Sequence, residues 1–197
     1  MLKKLLRDHS YDMVKMFLNQ FATAIFGFAL TLAAGKAENP TLRNITSVCA
    51  ILFYLFLLYT MVWEIGFRDR VPVEHGKMKR QPFKGAVISL FANSLNFLLA
   101  ILIMLGHLIP LAFFGTVGAF AKGAALLLEG MYTGVLANWA LNSYWFMYFV
   151  IILPSVLTCG ISYYLGFKDI KFTSLFNYQY PESDRDPKPK RGQRRDD

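Results

Sequence analysis

The side chains with the clearest chemical potential are one carboxylic acid and a few amides embedded in long apolar segments. Asn19 and Gln20 lie in one apolar run, Asn93 and Asn96 lie three residues apart in another, and Glu129 lies in a further one. An amide or acid surrounded by hydrocarbon needs a partner, so these groups must point into a bundle of helices. Either the amides hold helices in register, or the groups line a polar cavity for a substrate. The residues assigned to that cavity are Gln20, Asn93, Asn96 and Glu129.

Small and hydroxyl residues recur every four positions in the first apolar run. They are Asn19, Thr23, Gly27, Thr31 and Gly35. Residues four apart share one face of a helix, and small side chains on such a face let a second helix approach closely. The stripe therefore predicts a helix-packing surface, and Asn19 can form a hydrogen bond across it. The partner helix belongs either to the same chain or to another subunit.

The elements that carry these residues are long enough to cross a membrane. Residues 45–63 contain no charged side chain, and a helix needs about 20 apolar residues to cross the hydrocarbon core. Comparable runs cover residues 16–35, 85–106 and 145–166. The sequence therefore predicts an all-α, polytopic transmembrane helical bundle with at least four spans.

Residues 106–142 are too apolar for an ordinary loop and too interrupted for a plain span. Residues 108–121 form a short apolar segment, and residues 123–141 form a longer one. A segment of 14 residues reaches only ~21 Å across a core of ~30 Å. We therefore favour four spans with an interfacial or re-entrant segment on the outer side. The alternative is six spans, with two further helices that meet at Lys122.

Glu129 has a different expected role in each topology. It lies seven residues after Lys122, so one helix would put both on the same face and pair them. With six spans, Glu129 would instead be a proton or cation site. His107 could join Glu129 on the outer side, but two ligands without metal-site spacing do not predict a metal centre.

A short sequence is repeated after one hundred residues. Residues 65–69 read Ile-Gly-Phe-Arg-Asp, and residues 165–169 read Leu-Gly-Phe-Lys-Asp. Each copy supplies a glycine that could end a helix in the left-handed conformation, an interfacial aromatic ring and a cation. The repeat indicates either a duplicated helical hairpin or the shared chemistry of two helices that leave the membrane inward.

The basic residues are distributed unevenly along the chain. Eighteen of the 21 lysines and arginines fall before residue 16, between residues 67 and 84, or after residue 167. Because cytoplasmic loops carry the excess of such residues, we expect a multi-pass plasma-membrane protein with both termini in the cytoplasm. The net charge of +8 is then a feature of topology, and it does not indicate binding to nucleic acid.

The chain is expected to have three parts. Residues 1–12 form an N-terminal cytoplasmic interfacial segment, with its leucines at helical spacing. Residues 13–167 form the transmembrane bundle. Residues 168–197 form a cytoplasmic tail, which is disordered from about residue 181 because it is rich in proline and charge and has no large apolar side chain.

No motif of a membrane or soluble enzyme is present. The HExxH, GxSxG, phosphate-loop and dinucleotide patterns are absent, and the three histidines are scattered. We therefore expect no enzymatic activity, no cofactor and no metal. The favoured interpretation is an accessory subunit that acts through helix packing in the lipid bilayer, with a membrane protein or a second copy as partner. The alternative is a small transporter or channel that uses the amides of the first and third spans and also Glu129.

Overall fold

The regular structure of this chain is helical. The computed structural model describes residues 7–36, 39–79 and 81–171, and no strand occurs in those ranges. Three helical segments are long and apolar enough to cross a membrane, and two bent pairs of helices also qualify if each pair is one span. The described part of the chain therefore has three to five candidate membrane spans. Residues 1–6, which are half of the proposed interfacial segment, and the tail from residue 172 lie outside the described residues.

The first two helices form a long antiparallel pair. Helix α1 is Ser10–Lys36 and helix α2 is Pro40–Glu74. Asn39 caps α2, because its side-chain oxygen accepts hydrogen bonds from the amides of Thr41 and Leu42 at 3.0 and 3.2 Å. With 35 residues, α2 is ~52 Å long and extends beyond a ~30 Å hydrocarbon core. Helix α1 already includes residues 10–12, which the sequence assigned to the interfacial segment.

The third apolar run is broken into two helices. Helix α3 is Lys84–Ala92, helix α4 is Ser94–Leu108, and the two differ in direction by 59°. The continuous helix predicted for residues 85–106 is therefore wrong at Asn93. The side-chain amide of Asn93 donates to the carbonyl oxygen of Ser89 at 2.9 Å, and such bonds to the preceding turn bend helices.

The region that was difficult to assign from sequence forms a sharp helical turn. Helix α5 is Ala112–Leu128, and after Glu129 the segment Gly130–Asn138 leaves at 86° to it. This segment begins as a 3₁₀ turn, Gly130–Tyr132, and continues as helix α6, Thr133–Asn138. The six-span alternative placed the boundary at Lys122, but α5 passes through Lys122 without interruption, since lysine is a good helix former.

Helix α6 ends beside the beginning of α2. The side-chain amide of Asn138 donates to the carbonyl oxygen of Pro40 at 2.7 Å and to the side-chain oxygen of Asn44 at 2.8 Å. Three residues separate the end of α4 from the start of α5, at the same end of the bundle. We call this the loop end. The other end, which holds residues 75–79, 81–83 and 168–171, is called the basic end.

The last candidate span consists of helix α7, Met147–Val150, and helix α8, Leu153–Phe167. Helix α8 packs along α2, and the repeated sequence lies at the contact. A Cβ on Gly66 would collide with the carbonyl oxygen of Tyr163, and a Cβ on Gly166 would collide with that of Trp63. The two glycines are therefore used for close helix contact.

The expected left-handed glycine caps are wrong. Helix α2 continues past Gly66, and among the described glycines only Gly76 has a positive φ. The left-handed residue after α8 is Asp169, with φ of 58°. Its amide donates to the carbonyl oxygen of Gly166, and the amide of Ile170 donates to that of Leu165, both at 3.0 Å, which is the hydrogen-bond pattern of a Schellman cap.

Candidate functional site

Glu129 lies at the break between α5 and the following turn, and only 5% of its surface is exposed. The turn after it packs directly on α1. A Cβ on Gly130 would collide with the carbonyl oxygen of Ala24, and a Cβ on Gly27 would lie 2.5 Å from the Cα of Met131. Only glycine fits at these two positions without movement of the backbone. Gly27 and Gly130 therefore allow the turn that carries Glu129 to pack directly against α1.

Glu129 faces a small cavity inside the bundle. Its polar lining residues are Gln20, Tyr54, Asn93, Asn96, Glu129, Tyr132 and Ser155. The structure thus places together the four residues that the sequence assigned to a polar cavity. The space has no room for a water molecule, so it is a packed polar cluster in this conformation. We call these seven residues the central cluster.

Amide hydrogen bonds connect the helices around the central cluster. The side chain of Gln20 on α1 donates to the carbonyl oxygen of Leu128 at 3.3 Å, at the last turn of α5. Asn96 donates to the side-chain oxygen of Asn93 at 2.9 Å, and Asn93 donates to the hydroxyl oxygen of Ser155 on α8 at 3.2 Å. These bonds hold the two helix breaks, at Asn93 and Glu129, against intact helices.

Several oxygen atoms of the central cluster have no partner. The side-chain oxygen of Asn96 and the hydroxyl of Tyr132 are buried without a hydrogen bond. No residue in the described ranges forms a hydrogen bond or ion pair with the carboxyl group of Glu129. A buried carboxylate without donors is strongly unfavourable, so this group is stable either as the neutral acid or with a bound cation.

The predicted helix-packing stripe of α1 lies against the same chain. Asn19 donates to the sulfur of Met61 on α2 at 2.9 Å, and the hydroxyl of Thr23 donates to the carbonyl oxygen of Asn19 at 2.8 Å. Thr23, Gly27 and Thr31 are buried, and Gly35 is half-buried beside the guanidinium of Arg43. The stripe is occupied by α2 and by the turn after Glu129.

Sequence reasoning did not select three residues of the central cluster: Tyr54, Tyr132 and Ser155. Each tyrosine lies in a largely apolar segment, and a tyrosine hydroxyl in such a place needs a partner. That signal could have marked Tyr54 and Tyr132. Ser155 carried no such signal, because a single serine in a membrane helix is common and often donates to its own helix, as Ser155 does to Ile152 at 2.8 Å.

The proposed pairing of Glu129 with Lys122 is wrong, and His107 does not line the cavity that Glu129 faces. No ion pair joins these residues within the described ranges, and both Lys122 and His107 line a separate cleft at the loop end. Seven residues would place Lys122 and Glu129 on one face only if the helix included both. Helix α5 ends at Leu128, and the backbone of Glu129, with ψ of 32°, has already left the helical conformation.

A second buried acidic group lies near the basic end. One carboxylate oxygen of Asp69 on α2 accepts from the ammonium of Lys84 on α3 at 2.6 Å and from the hydroxyl of Tyr163 on α8 at 2.8 Å. Only 7% of the Lys84 side chain and 14% of the Asp69 side chain are exposed. This group, which we call the Asp69 cluster, ties three helices together. No sequence pattern indicated this group, because its members lie on three separate helices.

The site offers few ligands for a multivalent metal. In the described ranges no three His, Cys, Asp or Glu side chains are grouped so that they could hold a metal ion.

No family model, characterised protein or solved structure matches the chain. The central cluster itself must therefore carry the argument about function.

Proposed function

We propose that this protein is a small membrane transporter or channel whose central cluster binds a proton or a monovalent cation, with Glu129 as the binding group. The observation that carries the proposal is the buried carboxyl group of Glu129, which has no hydrogen-bond donor and no counter-ion among the described residues. A cation or a proton is the ligand that completes such a site.

The proposed membrane topology has four spans. They are α1, α2, the bent pair α3 and α4, and the pair α7 and α8. In this proposal α5 and α6 form a re-entrant hairpin, because α5 starts at the loop end and Asn138 of α6 lies back at that end beside Pro40. The excess of lysine and arginine around the basic end favours a cytoplasmic location for that end, for both termini and for a protein of the plasma membrane.

The two broken helical segments support transport over a purely structural role. Binding sites of many transporters lie where membrane helices are interrupted, because the freed backbone and polar side chains can surround a substrate there. In this chain the break at Asn93 and the break at Glu129 both contribute to the central cluster. Broken helices inside a membrane are also the elements most able to shift relative to their neighbours.

The chemistry of the central cluster favours a ligand with one positive charge. The cluster contains one carboxyl group. The other polar groups that line the cavity are amides and hydroxyls, whose oxygen atoms suit hard cations. The unpartnered side-chain oxygen of Asn96 is available as a second ligand atom. Since the cavity has no room for a water molecule, the described conformation is a closed one, and transport requires a second conformation that opens it.

The hypothesis of an accessory subunit depended mainly on the stripe in α1. Gly27 contacts Met131 and Asn19 contacts Met61, so the stripe offers no free surface to a second protein. We therefore place transport ahead of association through this helix. The expectation that the chain has no enzymatic activity stays a prediction.

The test is charge movement across reconstituted vesicles. Proteoliposomes adsorbed on a solid-supported membrane would be exposed to jumps in pH, sodium or potassium concentration. We expect a transient current from at least one of these ions for the parent protein and none for Glu129→Gln, because the amide is neutral at every pH and cannot take up a cation in the same way.

The matched control is Glu64→Gln, since Glu64 is an exposed glutamate on α2 outside the central cluster. This variant should keep the parent current. A folded parent protein that gives no current with any of the three ions would refute the proposal. So would a current of unchanged size in Glu129→Gln.

A further inference from the structure

A second cavity opens at the loop end, and it differs from the central cluster in its lining. It lies between α4, α5 and the segment that connects α6 to α7. Its polar lining residues are His107, Lys122, Asn142, Ser143, Trp145 and Tyr148. Unlike the central cavity, it has room for small ligand groups and is open to the outside. We call it the Lys122 cleft.

Glycines shape the Lys122 cleft. Helices α4 and α5 meet where Gly106 faces Gly118, and a Cβ on Gly106 would lie 2.7 Å from the Cα of Gly118. One turn away, Gly115 has no atom within 4 Å of the position of a Cβ, so its surface stays open. The close contact on one side and the open glycine on the other leave space beside Lys122 for a ligand.

The charge of the cleft is positive and uncompensated. No carboxylate among the described residues forms an ion pair with the ammonium group of Lys122, and the cleft lining contains no acidic residue. Lysine, histidine, asparagine, serine and tryptophan side chains can all donate hydrogen bonds. A cleft with several donors, one fixed cation and no acid is complementary to an anion.

The surroundings of the cleft indicate an amphiphilic anion. Tyr144 and Phe146, which flank the lining residue Trp145 in sequence, are exposed, and aromatic residues of this kind mark the level of lipid headgroups. On α5 the outward side chains of Phe113 and Phe120 are 72% and 80% exposed, so they offer an apolar surface for acyl chains. The long apolar stem of a lysine lets its ammonium group extend toward lipid headgroups and away from hydrocarbon.

We propose that the Lys122 cleft binds the phosphate of an anionic lipid headgroup, with Lys122 as the counter-ion and His107, Asn142 and Ser143 as hydrogen-bond donors. The acyl chains lie along the exposed apolar face of α5. This inference does not depend on transport, because no residue that it uses as a donor belongs to the central cluster.

The proposal can be tested on the purified full-length protein in a mild detergent. Short-chain phosphatidylglycerol, short-chain phosphatidylcholine and inorganic phosphate would be titrated separately while thermal unfolding is followed. We expect phosphatidylglycerol alone to raise the unfolding temperature in a saturable manner. In Lys122→Gln its apparent affinity should fall about tenfold or more, as for the loss of one charge-assisted hydrogen bond, whereas Lys122→Arg should retain it.

The control is Lys36→Gln, because Lys36 is an exposed lysine at the same end of the bundle and lies outside the cleft. It should leave the affinity for phosphatidylglycerol unchanged. Equal effects of phosphatidylcholine and phosphatidylglycerol would overturn the proposal, as would an unchanged affinity in Lys122→Gln. Binding of inorganic phosphate as tight as that of phosphatidylglycerol would overturn the lipid as the source of the anion.

Discussion

Two acidic side chains are removed from water in this bundle, and their surroundings differ in kind. Asp69 accepts from the ammonium of Lys84 at 2.6 Å and from the hydroxyl of Tyr163 at 2.8 Å. Glu129 is more deeply buried and has no such donor in the described part of the chain. A carboxylate with a cation and a donor is already complete, whereas one without either is open to a ligand. Burial alone does not distinguish the two, but the surrounding donors do.

The backbone around the two acids differs in the same way. Asp69 projects from the intact helix α2 toward two other helices, and its bonds fix their positions. Glu129 stands where α5 ends and the chain turns by 86°. The Asp69 cluster therefore stabilises a fixed arrangement of three helices. The central cluster instead lies at the bend between α5 and the turn that follows it. The predictions below test this contrast between a structural acid and a binding acid.

The largest effect is expected from Gly27→Leu, which would displace the turn that carries Glu129. A leucine side chain at this position points at the backbone of Met131, which cannot move without the turn. The destabilisation should exceed the ~1–3 kcal/mol typical of overpacking, because a whole leucine side chain needs space where even its first carbon atom would meet backbone. Size-exclusion chromatography in detergent should show loss of monodisperse protein.

The control for that change is Leu30→Ile on α1, which conserves volume at a partly buried position. It should leave the elution profile unchanged. If Gly27→Leu had the same yield, unfolding temperature and particle size as the parent, Gly27 would face lipid. The proposed contact between Gly27 and the turn after Glu129 would then be wrong.

The next effect concerns the Asp69 cluster. Lys84→Met keeps the length of the side chain but removes the cation, and so leaves Asp69 with a single donor in a buried place. Removal of one partner of a buried ion pair costs about 3–5 kcal/mol. We expect a large fall in the unfolding temperature in detergent, with recovery of part of it when Asp69→Asn is added, since the amide carries no charge.

The control is Arg70, which forms exposed ion pairs with Glu74 on the same helix at 2.7 Å and with Asp169 at 3.4 Å. Arg70→Gln should change stability by no more than about 1 kcal/mol, because exposed pairs contribute little. Comparable losses in Lys84→Met and Arg70→Gln would mean that the Asp69 cluster does not hold the helices together.

A smaller effect is expected at the contact of α2 with α8. Gly66→Ala and Gly166→Ala each insert a methyl group against a carbonyl oxygen of the neighbouring helix, and each should cost about 1–3 kcal/mol. The two losses should be similar, since the glycines occupy equivalent places in the repeated sequence. Gly123→Ala, where nothing lies within 4 Å, should be neutral or slightly stabilising, as chemical or thermal unfolding would show.

The sequence predicted the helices most closely where a long, uninterrupted apolar run defines the helix. Residues 45–63 lie within α2, and the predicted run 16–35 lies within α1. The break at Asn93 was not predicted, because it depends on a side chain that bonds to the preceding turn instead of to a neighbouring helix. The position of the second break was also missed: Lys122 was chosen for its charge, but the helix ends only where Gly130 must meet the carbonyl of Ala24.

The candidate site was predictable in part. Amides in hydrocarbon must find partners, and this argument selected Gln20, Asn93, Asn96 and Glu129, which the structure places at one cavity. The partners across the cavity, Tyr54 and Ser155, depend on how α2 and α8 are rotated against each other. No periodic pattern in one helix contains that information. The same holds for the Asp69 cluster, whose three members come from three helices.

The smallest change in the free energy of unfolding is expected for Glu129→Gln. The direction of this change distinguishes a binding acid from a structural acid. The amide has the shape of the acid, needs no counter-ion, and supplies two N–H donors next to a cavity where the oxygen of Asn96 lacks a partner. The free energy of unfolding of the variant should therefore lie within about 1 kcal/mol of the parent value, or above it. Asp69→Asn, the same chemical change in the other cluster, should be clearly destabilising, because it leaves the ammonium of Lys84 buried without a counter-ion. Thermal unfolding of both variants in one detergent and one buffer gives the comparison. If Glu129→Gln were the more damaging of the two, Glu129 would be held by donors as Asp69 is, and the argument for a cation or proton site would fail.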